Sequence, residues 1–365
     1  MEPGKISERQ LISLIVVEVL STGLVYVPSS LLTNSGRDAY LTVLVSTLLS
    51  LPAAWLIGGL CLKYPQARAL SLFTQLLGKP LGTFVAFSYA LFFLVTVCSI
   101  LVPGGEMIHT AFMPSTPMFL LVFLLTCLSG YAVYLGLESL ARFNTMVVPL
   151  MFLTFLMLGA VNMSHFDLDN LLPLYEHGLT PIFSGMLSPV GWFDQVILAL
   201  ILAPEVRHIS HRTLLWTVLI NLVCFEYLIL VILLIMGPTL PTFYEFPTLE
   251  LARIATVRGS IRGYDALVMT VWVTAVSVKA AIWIYAGNIL LGDIFRLQNR
   301  RSLVPPLIIL LSISSYPGID NAREIRYYGG SIWSQFAVPI FELGIPLLLY
   351  TLSRLKQRSV KTNQR

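Results

Sequence analysis

Apolar stretches of about 20 residues recur from one end of this 365-residue chain to the other, and that recurrence limits the fold more than any motif does. A helix needs roughly 20 apolar residues to cross a bilayer, and lipid offers no partner for a free backbone amide, so each run reads as a membrane-spanning helix. Hydrophobic residues make up 56% of the chain and charged residues 12%, with a mean hydropathy of +0.80. Too little polar surface remains for a water-soluble domain. The expected class is an all-α polytopic membrane protein.

The runs place ten spans at 11–32, 40–62, 81–102, 118–135, 143–161, 182–202, 214–236, 267–291, 303–316 and 333–352. The ninth is the shortest and opens on Pro305-Pro306. The first is too long for the apolar region of a signal peptide and reads as a retained span. The longest segment outside the spans is roughly 30 residues after Gly237, too short for a core of its own. Residues 1–365 are therefore expected to form one transmembrane permease-like domain, ending in a basic tail at 353–365. An even number of spans leaves both termini on one side. Of the 23 Lys and Arg residues, 16 fall in the termini and alternate loops and 6 in the opposite loops, so the positive-inside bias makes both termini cytoplasmic.

Several function classes fall away. The net charge of +4 is small and its basic residues are scattered, which gives nucleic acid nothing to bind. Cys61, Cys98, Cys127 and Cys224 lie inside apolar runs without paired spacing, as lipid-compatible fillers rather than disulfides or metal ligands. His208-Ile-Ser-His211 has helical ligand spacing but sits in a basic loop with no third ligand nearby, so it reads as solvated. No zinc-protease, nucleophile-elbow or Walker sequence occurs. Neither an enzyme nor a cofactor is expected, and the lipid bilayer is the first partner.

The first span carries EVLSTGLVYVP at 18–28, and the sixth carries LSPVGWFDQ at 187–195. Each is spoiled near its centre, and the two hold the same place in two halves of five spans. Proline removes a helix donor and glycine tolerates unwound backbone. Breaks in corresponding spans are the sequence mark of an inverted-repeat transporter fold with its ligand site at the midplane. On this reading Ser21, Thr22 and Gly23 form an unwound hinge, and Ser188 and Gly191 its counterpart. Half-helix amides beyond the hinge would then hold an anionic group such as a carboxylate. The alternative is that Ser21 and Thr22 bond back to their own helix and Gly23 is a packing contact.

Ionisable residues inside spans are costly in lipid and usually face a cavity or a partner. Glu18 lies one turn before Ser21-Thr22 on the same face and is either a cavity or proton-path group or a structural carboxyl. Asp194, in the first turn of the inner half of span six, either caps that helix or receives a ligand ammonium. Glu226 and Glu342 complete the acids of a candidate charge network. Lys279 is the base of that network. It is either a fixed charge standing in for a coupling cation or a structural partner of one acid. Thr270, Thr274 and Ser277 form a polar stripe on span eight, of which Thr274 and Ser277 are candidate ligand contacts, and Lys279 points away from that stripe.

Four segments give a more specific likeness: KISERQ at 5–10, YLGLESLARFN at 134–144, DNLLPLYEHGLTPIFSG at 169–185 and FPTLELARIATVRGSIRGYDAL at 246–267. In order and spacing they resemble the endospore germination permease family, the B subunit of nutrient germinant receptors, within the amino acid/polyamine/organocation superfamily. That resemblance implies a LeuT-like 5+5 inverted repeat with broken helices 1 and 6. It also implies a small nutrient ligand, most simply an amino acid, A-type and C-type receptor subunits as partners, and residence in the inner membrane of the spore. The alternative it leaves open is a secondary active amino-acid transporter working by alternating access.

Overall fold

A computed structural model describes residues 4–173, 175, 178–186, 194–257, 263–315 and 339–362. Within them the backbone is helical, as lipid requires, and the one strand-like pairing is a parallel bridge between Ile6 and Val206. The helices are α1 (Glu8–Ser35), α2 (Ala39–Lys63), α3 (Ala69–Leu77), α4 (Lys79–Ala111), α5 (Met118–Leu135), α6 (Leu137–Val161) and α7 (Thr180–Gly185). Then come α8 (Leu198–Leu202), α9 (His211–Met236), α10 (Pro247–Val257), α11 (Tyr264–Ile294) and α12 (Val304–Ser314). A π-helical turn at Pro339–Gly344 leads into α13 (Ile345–Thr362). Six apolar helical stretches among the described residues are long enough to cross a membrane. The first of them, Glu8–Lys63, contains both α1 and α2, separated by a 3-10 turn at Gly36–Asp38.

Local chemistry sets the boundaries. Ser7 accepts from the Gln10 amide and the Gln10 side chain accepts from the Ser7 amide, a reciprocal cap that satisfies two otherwise unpaired donors at the start of α1. The rest of KISERQ ties that start down. Ile6 is fully buried and pairs with Glu205 and Arg207 through its backbone, while the Glu8 carboxylate accepts from Ser210 at 2.6 Å and from Thr213. In YLGLE, Gly136 has φ +96° and is the single residue between α5 and α6, a left-handed conformation that a residue with a Cβ resists. Both motifs of the resemblance thus have structural work.

α11 is the post around which the others stand. It packs on α1, α4, α5 and α6, and α1 in turn packs on α6 and α9. Within its most apolar stretch 78% of α11 is buried, against 33% for α6. A helix apolar all round belongs in the interior, whereas α6 shows Met146 and Leu153 outward, as a lipid-facing helix should. At the end of the bundle where α1 begins, basic residues gather. Lys5 donates to Gln66, Arg207 to the Lys5 carbonyl and Lys63 to the Ser353 carbonyl, and Arg68 and Arg300 share Asp293.

One expectation is corrected here. α1 runs without interruption through Ser21, Thr22 and Gly23, so the hinge expected there is regular helix. The defect lies a turn further on. Pro28 has no amide to offer the Leu24 carbonyl, and the Thr248 hydroxyl of α10 donates to that carbonyl at 2.6 Å instead, so the helix survives its proline with the lost bond replaced from outside. The helix of the third span, α4, carries Pro103 inside it and continues to Ala111. The sixth span's expected break, including Ser188 and Gly191, lies outside the described residues.

Candidate functional site

Where α1 packs on α11, each helix presents polar residues four apart: Glu18 and Thr22 on one, Lys279 and Trp283 on the other. That spacing stacks the pair on one face, and the two faces meet. The Lys279 ammonium lies 3.0 Å from Glu18 Oε1 and donates to Thr22 Oγ1 at 2.7 Å. Trp283 Nε1 donates to the same carboxylate oxygen at 2.9 Å. Gln195, in the 3-10 turn Asp194–Ile197, brings its amide to the cluster. Turned with its nitrogen toward the carboxylate, it donates to Glu18 Oε2 at 2.6 Å and to Oε1. The opposite orientation would let the amide oxygen accept from Lys279 at 3.3 Å but would press it against both carboxylate oxygens at closer range, so electrostatics select the first.

The Glu18 and Lys279 side chains are 0% and 1% exposed. Moving two charges out of water is costly, and their attraction offsets that only when hydrogen bonds meet the remaining polar atoms; the hydroxyl, indole and amide supply these. Aromatic rings wall the cluster. Trp283 stands edge-on to Phe92 and Phe93 at 5.8 and 5.2 Å, and Phe92 stacks on Phe341 of the π-helical turn at 4.6 Å. Glu342 is buried in that same turn. The two charges cancel, so the cluster is a buried ion pair with no net charge. Among the described residues no group of His, Cys, Asp or Glu is arranged to hold a metal ion. What it offers is a fixed, hydrogen-bonded ion pair at the junction of α1, α11 and the residues that follow the sixth span's expected break.

The remaining sequence-predicted residues fall elsewhere. The Ser21 hydroxyl donates to the Glu18 carbonyl of its own helix at 3.2 Å. Gly23 faces α9 so closely that a Cβ there would lie 2.5 Å from the Phe225 ring, which makes it a close-packing position. Thr274 and Ser277 donate to the carbonyls of Thr270 and Val273, each four residues back, and reach no other helix through those bonds. Glu226 is on α9. Asp194 opens the turn that carries Gln195. Sequence reasoning missed Gln195 and Trp283. The signal for Trp283 was present, one turn after Lys279 on the same face; Gln195 was masked by its more conspicuous acidic neighbour.

The profile of the family described as spore germination protein matches residues 5–323. The chain belongs to the spore germination protein family. Relatives include spore germination protein KB of Bacillus subtilis, 24% identical over 98% of this chain and 97% of that one. Spore germination protein XB of Bacillus anthracis is 24% identical over 94% of this chain and 98% of its own. Among solved structures, MhsT in complex with L-phenylalanine superposes with a TM-score of 0.70 at 11% identity, covering 96% of this chain and 99% of its own. An Eremococcus coleocola manganese transporter gives 0.59 at 15% identity, over 94% and 76%. At those identities the likeness shows the fold alone, and that fold is the LeuT-like transporter fold.

Proposed function

We propose that this member of the spore germination protein family is the membrane subunit of a germinant receptor. It binds a small nutrient, an amino acid, near the bilayer midplane and passes the occupancy to A-type and C-type partner subunits in the spore inner membrane. The observation that carries the reading is the Glu18–Thr22–Gln195–Lys279 cluster. It ties α1 to the turn just beyond the sixth span's expected break, where an inverted-repeat fold keeps its ligand. Thr22 and the segment 188–194 are the surroundings we assign to the ligand. Ser21 and Gly23 are occupied by a carbonyl and a phenyl ring. The fixed ammonium supports a receptor in which no free cation is needed to hold α1 against α11. The amino-acid assignment draws on MhsT, solved with L-phenylalanine.

Spores lacking this protein, set beside complemented spores and tested with single amino acids, should lose germination to a subset of them. An unchanged response to every nutrient would sink the proposal. The likeness to transporters over most of the chain favours a second reading, alternating-access transport. Saturable uptake of the same amino acid into proteoliposomes holding this chain alone would select it. Sidedness is tested separately. With both termini cytoplasmic, Thr242→Cys should label with an impermeant reagent from outside and Ser359→Cys should not.

A further inference from the structure

At the end of the bundle where α1 begins, α2, α3 and α13 build a second cluster. Trp55, Gly59 and Lys63 follow one another at intervals of four on one face of α2. A Cβ on Gly59 would lie 2.8 Å from the Tyr350 ring of α13, so the glycine lets that ring rest on α2 between the tryptophan and the lysine. The Trp55 and Tyr350 ring centroids are 5.3 Å apart, and the Lys63 ammonium donates to the Ser353 carbonyl. Arg354 bends back over Tyr350, its Nη2 donating to the phenol oxygen at 2.7 Å. Lys356 donates to the Gln75 carbonyl near the end of α3.

Among the described residues these three cations meet only neutral oxygens. Their own elements supply no acid, for none occurs between Ala39 and Gly105 or after Glu342. Arg68, Arg300 and Arg142, at the same end, each have a carboxylate. Lys63, Arg354 and Lys356 keep donors to spare and repel one another, and what relieves them is an anion from outside the chain.

The same face shows what carries that anion. Trp55 is 48% exposed and Leu48, two turns earlier on α2, is 65% exposed; on α13 Leu347, one turn before Tyr350, is 45% exposed. An apolar strip that ends in tryptophan and tyrosine and then in cations matches the step from hydrocarbon to headgroup at a membrane surface. From the uncompensated cations and the outward apolar strip below them, we propose that this face binds an anionic phospholipid. Lys63, Arg354 and Lys356 hold its phosphate, and its acyl chains lie along Leu48, Trp55 and Leu347. The site is separate from the nutrient site proposed above and does not rest on that reading.

The full chain in phosphatidylcholine nanodiscs tests this with a rising fraction of phosphatidylglycerol brominated on its acyl chains, since bromine quenches a tryptophan it touches. The Trp55 signal is the difference between each protein and its own Trp55→Phe counterpart. A cation beside an anionic lipid surface is worth roughly fivefold in affinity, so half-quenching should need at least about tenfold less brominated phosphatidylglycerol than brominated phosphatidylcholine. Arg354→Gln with Lys356→Gln, both exposed side chains, should cut that preference to about fivefold or below, and Lys63→Gln added to them should abolish it. Arg142→Gln removes a cation already paired with Glu138 and should leave the preference unchanged. Excess inorganic phosphate at constant ionic strength should not reverse the quenching. Equal quenching by the two lipids, an undiminished preference without Arg354 and Lys356, the same fall in Arg142→Gln, or reversal by inorganic phosphate would each overturn the assignment.

Discussion

α11 carries polar side chains on two faces, and the two behave in opposite ways. On one, Lys279 and Trp283 reach across to Glu18 and Thr22 of α1. On the other, Thr270, Thr274 and Ser277 turn back to carbonyls of their own helix. The difference is one of reach and desolvation. A short hydroxyl meets its hydrogen-bonding need within one turn, so its presence says nothing about what lies beside the helix. An ammonium or a carboxylate cannot be satisfied that way and must find a counter-charge on another element. On α11, Lys279 and its neighbour Trp283 report tertiary structure, and these three hydroxyls report only helix.

The largest effect expected from breaking that contrast follows the loss of Lys279. Lys279→Met leaves Glu18 buried without its counter-charge, which costs about 3–5 kcal/mol. The level of protein in the membrane and the melting temperature of detergent-solubilised protein should both fall sharply. Glu18→Gln introduced into Lys279→Met should recover much of the loss, because a neutral amide needs no counter-charge and the Trp283 donor still has an oxygen to meet. Recovery through neutralising Glu226 in place of Glu18 would overturn the pairing described here.

Gly23 comes next. A Cβ at that position would lie 2.5 Å from the Phe225 ring, so Gly23→Val should destabilise by about 1–3 kcal/mol through overpacking. Phe225→Leu combined with Gly23→Val should recover part of the abundance, since it removes the ring edge the valine meets without emptying the site. Were Gly23 instead a point of ligand approach, the double variant would regain abundance and still fail to respond to nutrient. Immunoblots of membrane level beside germination dose-response curves separate the two outcomes. Thr248→Val should act more mildly, at about 1 kcal/mol, because it strips the Leu24 carbonyl of the donor that replaces the amide missing from Pro28.

The same contrast explains what was legible in the sequence. The span at 118–135 was, because that apolar run is the helix Met118–Leu135 in the structure, and lipid permits little else. Glu18 and Lys279 were recognisable as a costly pair of opposite charges, although which acid met the lysine depended on the approach of α1 to α11. The state of Ser21-Thr22-Gly23 was not legible. Helix-compatible close packing and unwound backbone draw on the same small residues, and what decides between them is Phe225, a residue on another helix. Nor was the role of Thr248. Pro28 announces a lost hydrogen bond, but the donor that replaces it comes from a segment 220 positions downstream in the chain.

The smallest effect is expected on the self-satisfied face of α11. Thr274→Val replaces a hydroxyl by a methyl of nearly the same shape. It removes a bond to Thr270 O that duplicates one the helix backbone already makes. Valine is also better tolerated by lipid, which offsets the lost bond. The net change in stability should stay within about 0.5 kcal/mol, the range of an ordinary surface substitution, and the half-maximal nutrient concentration for germination should not move. Ser277→Ala should behave likewise, as its hydroxyl donates to the Val273 carbonyl in the same manner. A rightward shift of the dose-response curve in either variant at normal protein level would place a ligand against this face, and the contrast between a cross-linking face and a self-contained one would then fail on the side that looks inert.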